Sequence, residues 1–274
     1  MQTTSIFYFS GTGNTWWVSR EMARLLSERE ICTRTHSIEQ LTTGAATQLM
    51  AECDTVGFGY PIYGSDLPGP MEEFIARMEA VEGKRCFVFC TQWLWSGDGA
   101  RAGAALLTSK GFDVRWGEHF LMPNNVCVAA IPLPFTNERK RIDAVLAKAS
   151  RRIERFVEKI GTDRSFRRGF HPLSNLLGSL QRVPFQRLKG RMQDDIGVDG
   201  QRCTRCGYCV SLCPVDNLVE ARQSIMTRGQ CIFCMRCYNF CPESAITYRR
   251  RPHNLRRGAP YRGPVEGFDP RILR

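Results

Sequence analysis

The sequence predicts an α/β protein whose doubly wound parallel sheet is followed by a small α+β module rich in cysteine. Over residues 1–160, apolar strand patterns alternate with helical patterns, as in repeating β-α units. Eight of the thirteen cysteines fall between Cys203 and Cys241, where they form two matching sets. A chain of 274 residues is long enough for one full α/β domain and one smaller module.

The predicted elements of the first 160 residues alternate between strands and helices. Strands are expected at Ser5–Ser10, Ile31–Ser37, Thr55–Tyr60, Arg85–Thr91 and Val114–Met122. Helices are expected at Thr15–Arg29, Pro70–Met78, Gly99–Lys110 and Asn137–Ile160. The last helix has the clearest pattern, because its apolar residues fall on one face and its charged residues on the others. The alternation predicts a parallel sheet with helices on both faces.

The rest of the chain divides by composition into three segments. Residues 161–200 are a basic linker with a short helix expected at Leu173–Leu180, and residues 201–248 are the cysteine-rich domain. Residues 249–274 form a basic tail rich in arginine, proline and glycine, which we expect to be mobile or draped over the surface. The apolar residues of the linker, flanked by arginines, allow two interpretations: contact with a membrane surface, or packing on a neighbouring domain. We favour packing, because the apolar stretch is short.

The cysteine-rich domain contains the same motif twice, as CTRCGYCVSLCP from Cys203 and as CIFCMRCYNFCP from Cys231. Each copy reads C-x₂-C-x₂-C-x₃-C-P, the spacing of bacterial proteins with two 4Fe–4S clusters, in which the fourth cysteine binds the other cluster. One cluster is therefore expected on Cys203, Cys206, Cys209 and Cys241. The other is expected on Cys231, Cys234, Cys237 and Cys213. Two Cys₄ zinc sites are the alternative, but zinc sites do not need three equally spaced cysteines.

The five other cysteines are scattered through the first 127 residues. They are expected to be buried small apolar residues rather than disulfide partners.

A second motif, Ser10-Gly11-Thr12-Gly13-Asn14-Thr15, follows the first predicted strand and begins the first helix. It fits neither the ATPase loop nor the dinucleotide fingerprint. Its glycines let backbone N–H groups point at one anion, and the start of the helix adds partial positive charge. No Lys or Arg lies within the loop. These features predict a site for a terminal phosphate monoester.

This loop resembles the FMN-phosphate loop of the flavodoxin family, (S/T)-x-T-G-x-T. The resemblance implies a flavodoxin-like sheet of order 2-1-3-4-5, with FMN at the carboxyl ends of the central strands. The loops YPIYGSDLPGPM and TQWLWSGDGARAG then lie beside the flavin. The cofactor-binding residues that follow are Ser10, Gly11, Thr12, Gly13, Asn14, Thr15, Pro61, Ile62, Tyr63, Gly64, Trp93, Trp95 and Gly97.

The whole chain resembles the flavodoxin–ferredoxin fusion proteins of anaerobic bacteria and archaea. The resemblance implies an electron-transfer protein that links FMN and two 4Fe–4S clusters to a redox protein partner. The arginines of the tail and the net charge of +11 indicate an acidic partner rather than nucleic acid. No catalytic residue is predicted. The chain shows no leader pattern and no apolar run that spans a membrane, so a cytoplasmic location is expected.

The alternative is a flavoenzyme that reduces an organic substrate at FMN with electrons from the clusters. In that case Asp98, Arg101, Asn124 and Asn125 are the candidates to line the substrate site. A pocket over the flavin ring favours the enzyme, and a flavin edge facing a cluster favours the carrier.

Overall fold

The computed structural model describes residues 2–131, 133–162 and 164–274. The strands of its main sheet are β1 Thr3–Tyr8, β2 Cys32–Ser37, β3 Thr55–Pro61, β4 Arg85–Gln92, β5 Asp113–Leu121 and β6 Phe166–Arg167. They lie in the order β2-β1-β3-β4-β5-β6, and every pairing is parallel. The expected order 2-1-3-4-5 is confirmed, and the two residues of β6 extend it at one edge.

Helices cover both faces of this sheet, and the alternation of side chains along β4 explains why. The helices of this part are α1 Asn14–Ser27, α2 Thr43–Ala51, α3 Gly69–Arg77, α4 Gly99–Ser109 and α5 Arg139–Gly161. Phe87 and Phe89 point to the face covered by α1 and α5, while Cys86, Val88 and Cys90 point to the other face.

Two expectations for this part of the chain are corrected. Helix α2 was not predicted, because only Ala46 and Met50 of its nine residues are buried and its apolar pattern is weak. Cys32 was expected to be buried, but it lies exposed on the edge strand β2, whereas the other four scattered cysteines are buried.

The cysteine-rich part folds into two short hairpin-like sheets and two short helices. Strand β7 Ile196–Val198 pairs antiparallel with β10 Ile246–Tyr248, and β8 Leu218–Ala221 pairs antiparallel with β9 Ser224–Thr227. Each cysteine motif continues into a helix of five residues, α7 Tyr208–Leu212 or α8 Arg236–Phe240. This is the small α+β unit that the sequence predicted.

The linker forms a helix, α6 Pro172–Met192, that is much longer than the expected Leu173–Leu180 and contains Pro184. It packs against the end of the main sheet because two glycines meet: a Cβ on Gly97 would lie 2.5 Å from the backbone nitrogen of Gly178. Arg182 donates to Asp98 at 2.5 Å, which fixes the helix over the loop after β4. The packing interpretation therefore holds for one face of α6. Of the helices in the described residues, none is long and apolar enough to cross a membrane.

The tail is held in place by individual anchors, so the expectation of a mobile or surface-draped segment is wrong for them. Tyr261 and Leu273 are fully buried, and the Tyr261 ring belongs to the core between the sheet and helices α1 and α5. Ser37 donates its hydroxyl to the Leu273 carbonyl at 2.5 Å. Arg262 donates to the Asn239 carbonyl at 2.6 Å and so ties the tail to α8.

His119, near the end of β5, is buried as a neutral imidazole. Its Nδ1 lies 2.8 Å from the Ser96 hydroxyl, and its Nε2 accepts the Ala100 backbone N–H at 3.4 Å. Burial, with smaller contributions from Arg152 and Arg168, lowers the pKa of His119 from 6.5 to about 4. The folded protein therefore takes up a proton at His119 only near pH 4, whereas the unfolded chain does so near pH 6.5.

We expect this histidine to make folding stability pH-dependent. Its contribution is complete above pH 6.5 and is lost as the pH falls toward 4. Between pH 7 and pH 5, about 2 kcal/mol of unfolding free energy is lost through this group. Urea unfolding at both pH values should therefore show a shallower pH dependence for His119→Gln than for the parent. The exposed His171→Gln serves as the control, and an equal pH dependence in all three proteins contradicts the prediction.

Candidate functional site

The loop between β1 and α1 is shaped to receive an anion at the start of a helix of fourteen residues. Gly13 adopts φ 99°, a left-handed conformation that favours glycine, and caps α1. The backbone N–H of Gly13 donates to the Ser10 hydroxyl at 3.2 Å. In the part of the chain that the structure describes, the backbone N–H groups of Thr12, Asn14 and Thr15 have no protein acceptor. These free donors fit a phosphate group.

The polar side chains of the loop are fixed by contacts from three other segments. The Thr15 hydroxyl lies 2.9 Å from that of Thr91 at the end of β4. Asn125 donates to the Thr12 hydroxyl at 2.6 Å, and Tyr261 of the tail donates to the Asn14 side-chain oxygen at 2.6 Å. The side chains of the loop are therefore held in place by residues outside it.

A pocket with about 1080 Å³ of empty space, including its open side, extends from this loop across the carboxyl ends of the strands. Ten of the thirteen predicted cofactor-binding residues line it: Ser10, Gly11, Thr12, Asn14, Thr15, Pro61, Ile62, Tyr63, Gly64 and Trp93. The structure brings these residues together from the three predicted loops. Asn124 and Asn125 also line the pocket.

Three predicted cofactor-binding residues lie outside the pocket lining. Gly13 shapes the loop from behind, where Pro264 and Phe268 of the tail pack against it. Trp95 is about half exposed, and Gly97 turns the chain away with φ 62° to meet α6. The pocket therefore ends at Trp93 on this side. Asp98 and Arg101, the other two candidates for a substrate site, are also outside it and form an ion pair with each other.

Apolar residues that sequence reasoning did not assign to the site form the rest of its wall. They come from the loop after β5, from α6 and from the cysteine-rich part: Val126, Val128, Ile131, Leu133, Phe185, Met192, Phe233, Met235 and Tyr248. The N–H donors of the loop fit the charged phosphate of FMN, and the apolar walls fit its planar ring.

The eight motif cysteines line two separate small cavities. Cys203, Cys206, Cys209 and Cys241 line the first, which we call the outer cavity because Cys206 is exposed. Cys213, Cys231, Cys234 and Cys237 line the second, the inner cavity, where all four are buried. The sets are those predicted from the motif, with the fourth cysteine exchanged between the two copies.

The thiols surround each cavity instead of converging on one point. Within the described ranges, no three His, Cys, Asp or Glu side chains are close enough to hold a single metal ion. Thiols spread around a cavity fit a cube with an iron at each corner. Burial raises the pKa of Cys209 to about 11 and that of Cys234 to about 12, so an iron–sulfur cluster would have to supply the positive charge that favours the thiolates.

The two cavities adjoin each other and the large pocket. Burial raises the pKa of Cys237, and the other thiols of the inner cavity add to this, together with Cys209 of the outer one. Phe233 and Met235, on either side of Cys234, line the large pocket. A Cβ on Gly11 would lie 2.6 Å from the Cys234 carbonyl oxygen, so only glycine permits this approach. The inner cavity therefore lies beside the phosphate loop.

Arg236 connects these parts, and it was not predicted from the sequence. Its side chain is fully buried, and all five of its N–H donors have acceptors. Two go to Glu39, at 2.9 and 2.6 Å, and one to the Leu212 carbonyl at 2.9 Å. The other two go to the Gly11 carbonyl at 3.1 Å and the Ser10 carbonyl at 2.7 Å. One guanidinium thus joins the loop between β1 and α1, which we call the phosphate loop, to the 3-10 helix Ile38–Gln40 and to helix α7.

Two parts of the chain match the models of known domain families. Residues 5–111 match the model of a flavodoxin domain, and residues 202–246 match the model of a 4Fe-4S dicluster domain. The first implies FMN and the second implies iron–sulfur clusters.

Individual relatives cover only parts of the chain or differ widely in sequence. The archaeal-type glutamate synthase (NADPH) of Dehalococcoides mccartyi is 36% identical over 61 residues, which are 21% of this chain and 12% of that protein. A flavodoxin from the domain Archaea is 17% identical with a TM-score of 0.40, and covers 58% of this chain and 99% of its own. The flavodoxin of Streptococcus pneumonia TIGR4 is 16% identical with a TM-score of 0.42, and covers 58% and 98%.

Proposed function

Because this chain joins a flavodoxin domain to a 4Fe–4S dicluster domain, we propose that it passes electrons between FMN and two 4Fe–4S clusters, to or from a redox protein partner. When bound, FMN exchanges one or two electrons, and each cluster exchanges one. The observation that carries the proposal is that the inner cavity and the large pocket share a wall. Met235 lines both of them, and Cys234, the residue before it, is one of the four thiols of the inner cavity.

The residues of this chain have distinct roles in the proposal. The free N–H groups at the start of α1 bind the FMN phosphate, and Tyr63 and Trp93 lie along the rest of the pocket. Cys213, Cys231, Cys234 and Cys237 hold the cluster nearer the flavin, and Cys203, Cys206, Cys209 and Cys241 hold the other. Since Cys206 is exposed, the outer cluster is the one that a partner reaches.

The surface beside the outer cavity supports an acidic partner. Arg202 and Arg205 precede its first two cysteines in sequence, and both are exposed. Arg202 is paired with Asp199 at 3.5 Å and Glu243 also lines the cavity, so Arg205 is the cationic side chain here that has no ion pair with a described residue. Cationic side chains around an exposed cluster steer an acidic protein toward it and make association sensitive to salt. We propose a cytoplasmic location, because reduced thiols are maintained there.

Purification without oxygen, followed by iron, sulfide and flavin analysis, tests the cofactors. We expect about eight irons and one FMN per chain. FMN should bind at least about 100-fold more tightly than riboflavin, because only FMN has a charged phosphate for the loop. Photoreduction of the flavin should then bleach the cluster absorbance. Protein without iron, or equal binding of FMN and riboflavin, contradicts the proposal.

A second groove gives specific support to one alternative, reduction of an anionic organic substrate. It contains about 910 Å³ of empty space and shares Trp93, Met122 and Pro123 with the large pocket. Lys148, Arg152 and Arg155 of α5 also line it, and Lys148 and Arg155 form no ion pair with any described residue. Turnover of aromatic carboxylates by the reduced protein, abolished in Lys148→Ala/Arg155→Ala, would establish this activity. Absence of turnover leaves the carrier as the function.

A further inference from the structure

Helix α6 presents an exposed apolar stripe on the face opposite the one that packs on the sheet. Leu173, Leu176, Leu180 and Val183 are 64%, 57%, 65% and 44% exposed, and their spacing of three and four places them on one side. We call these four residues the outer face. Gly178, Arg182 and Phe185 lie on the opposite side and contact the main domain. The stripe is therefore not part of the core, and no described residue covers it.

The charged residues within α6 have one sign. The helix contains four Lys or Arg residues and no Asp or Glu, and Asp194 and Asp195 follow its end. Arg187 and Arg191 follow Val183 at intervals of four, so they continue the same face toward the end of the helix. Arg182 alone of these arginines turns inward to Asp98. An apolar stripe that continues into arginines is complementary to a surface in which an apolar layer lies beneath a layer of negative charge.

We propose that the outer face of α6 docks on the surface of an anionic phospholipid bilayer. The helix lies along the boundary between headgroups and acyl chains without crossing the membrane. The four aliphatic side chains enter the apolar layer, and Arg187 and Arg191 contact lipid phosphates. A second copy of the chain is a poorer occupant, because it would bring the same arginines and a second net charge of +11 to the interface.

Sedimentation of the anaerobically purified, cofactor-loaded protein with lipid vesicles tests this docking. We expect binding to vesicles of phosphatidylcholine with phosphatidylglycerol, and much weaker binding to phosphatidylcholine alone. Leu176→Glu/Leu180→Glu should weaken the binding at least about 10-fold, since two apolar contacts are lost and two negative charges are added. Arg187→Gln/Arg191→Gln should weaken binding to anionic vesicles only.

The matched control is Met226→Glu/Leu255→Glu, which adds the same charge at two equally exposed apolar positions away from α6. Iron and flavin contents equal to those of the parent show that each variant is folded. The proposal is overturned by absence of binding to anionic vesicles, or by equal losses in the control and the α6 variant. It is also overturned if light scattering shows that the α6 substitutions dissociate a dimer.

Discussion

Arg236→Met is expected to lower the free energy of unfolding by about 3–5 kcal/mol. The substitution leaves the buried Glu39 carboxylate without its cationic partner, and it removes the donors of the Ser10, Gly11 and Leu212 carbonyls. Removing one member of a buried pair costs this much because the remaining charge is neither hydrated nor neutralised. Urea unfolding of the parent and the variant, followed by tryptophan fluorescence, measures the loss.

A second effect of this substitution reports on the cofactor site rather than on stability alone. Because Arg236 holds the carbonyls of Ser10 and Gly11, its loss frees the phosphate loop to change conformation. We expect FMN affinity to fall about 10-fold or more in titrations with the folded variant. Riboflavin affinity should change less, since riboflavin makes no phosphate contact.

Three variants separate the effects of the charge of Arg236, of its hydrogen-bond geometry and of its pairing with Glu39. Arg236→Lys keeps the charge but not the five donors, so an intermediate loss is expected. Arg236→Met/Glu39→Gln should lose less than the sum of its two single substitutions, because no unpaired charge remains. The exposed Arg256→Met should behave as the parent does. A loss below about 1 kcal/mol for Arg236→Met contradicts the role assigned to this residue.

The sequence predicted those features that are encoded by local patterns. Strand and helix patterns of the first 160 residues gave elements that match the structure within a few residues at most ends, and the loop resemblance gave the strand order. The cysteine motif predicted two sets of four cysteines, and the structure brings each set around its own cavity. These are signals within a short stretch of chain.

The features that were missed depend on partners far apart in the chain. Arg236 and Glu39 are separated by 197 positions, and nothing around either residue marks it as buried. Tyr261 lies in a tail without periodicity, yet it fills a gap beside Asn14. Helix α6 was underestimated because both of its faces carry apolar residues, so its amphipathic pattern is weak, and Pro184 suggested an earlier end.

Trp95 shows that prediction from local sequence has the same limit at the cofactor site. Trp95 was expected at the flavin because it follows β4, the strand whose end forms part of the pocket. The chain turns at Gly97, and α6 packs over this turn, so Trp95 is left on the surface beside the helix. Only the tertiary packing of α6, which local sequence does not encode, decides between Trp93 and Trp95.

Cys213→Ala is expected to remove the cluster of the inner cavity and to leave the outer one intact. Cys213 belongs to the first cysteine motif in sequence, but it lines the cavity formed by the three leading cysteines of the second. Iron should therefore fall from about eight to about four per chain. The electron paramagnetic resonance spectrum of the remaining reduced cluster should match that of Cys231→Ala.

Cys241→Ala should produce the opposite loss, because Cys241 lines the outer cavity with Cys203, Cys206 and Cys209. The spectrum of its remaining cluster should match that of Cys203→Ala. Reduction of the flavin should still bleach a cluster efficiently in Cys241→Ala and Cys203→Ala, but not in Cys213→Ala and Cys231→Ala, because the inner cavity adjoins the large pocket. The exposed Cys32→Ala, on strand β2, should retain both clusters. If the spectrum of Cys213→Ala instead matches that of Cys203→Ala, each motif binds its own cluster and the exchange of the fourth ligand is wrong.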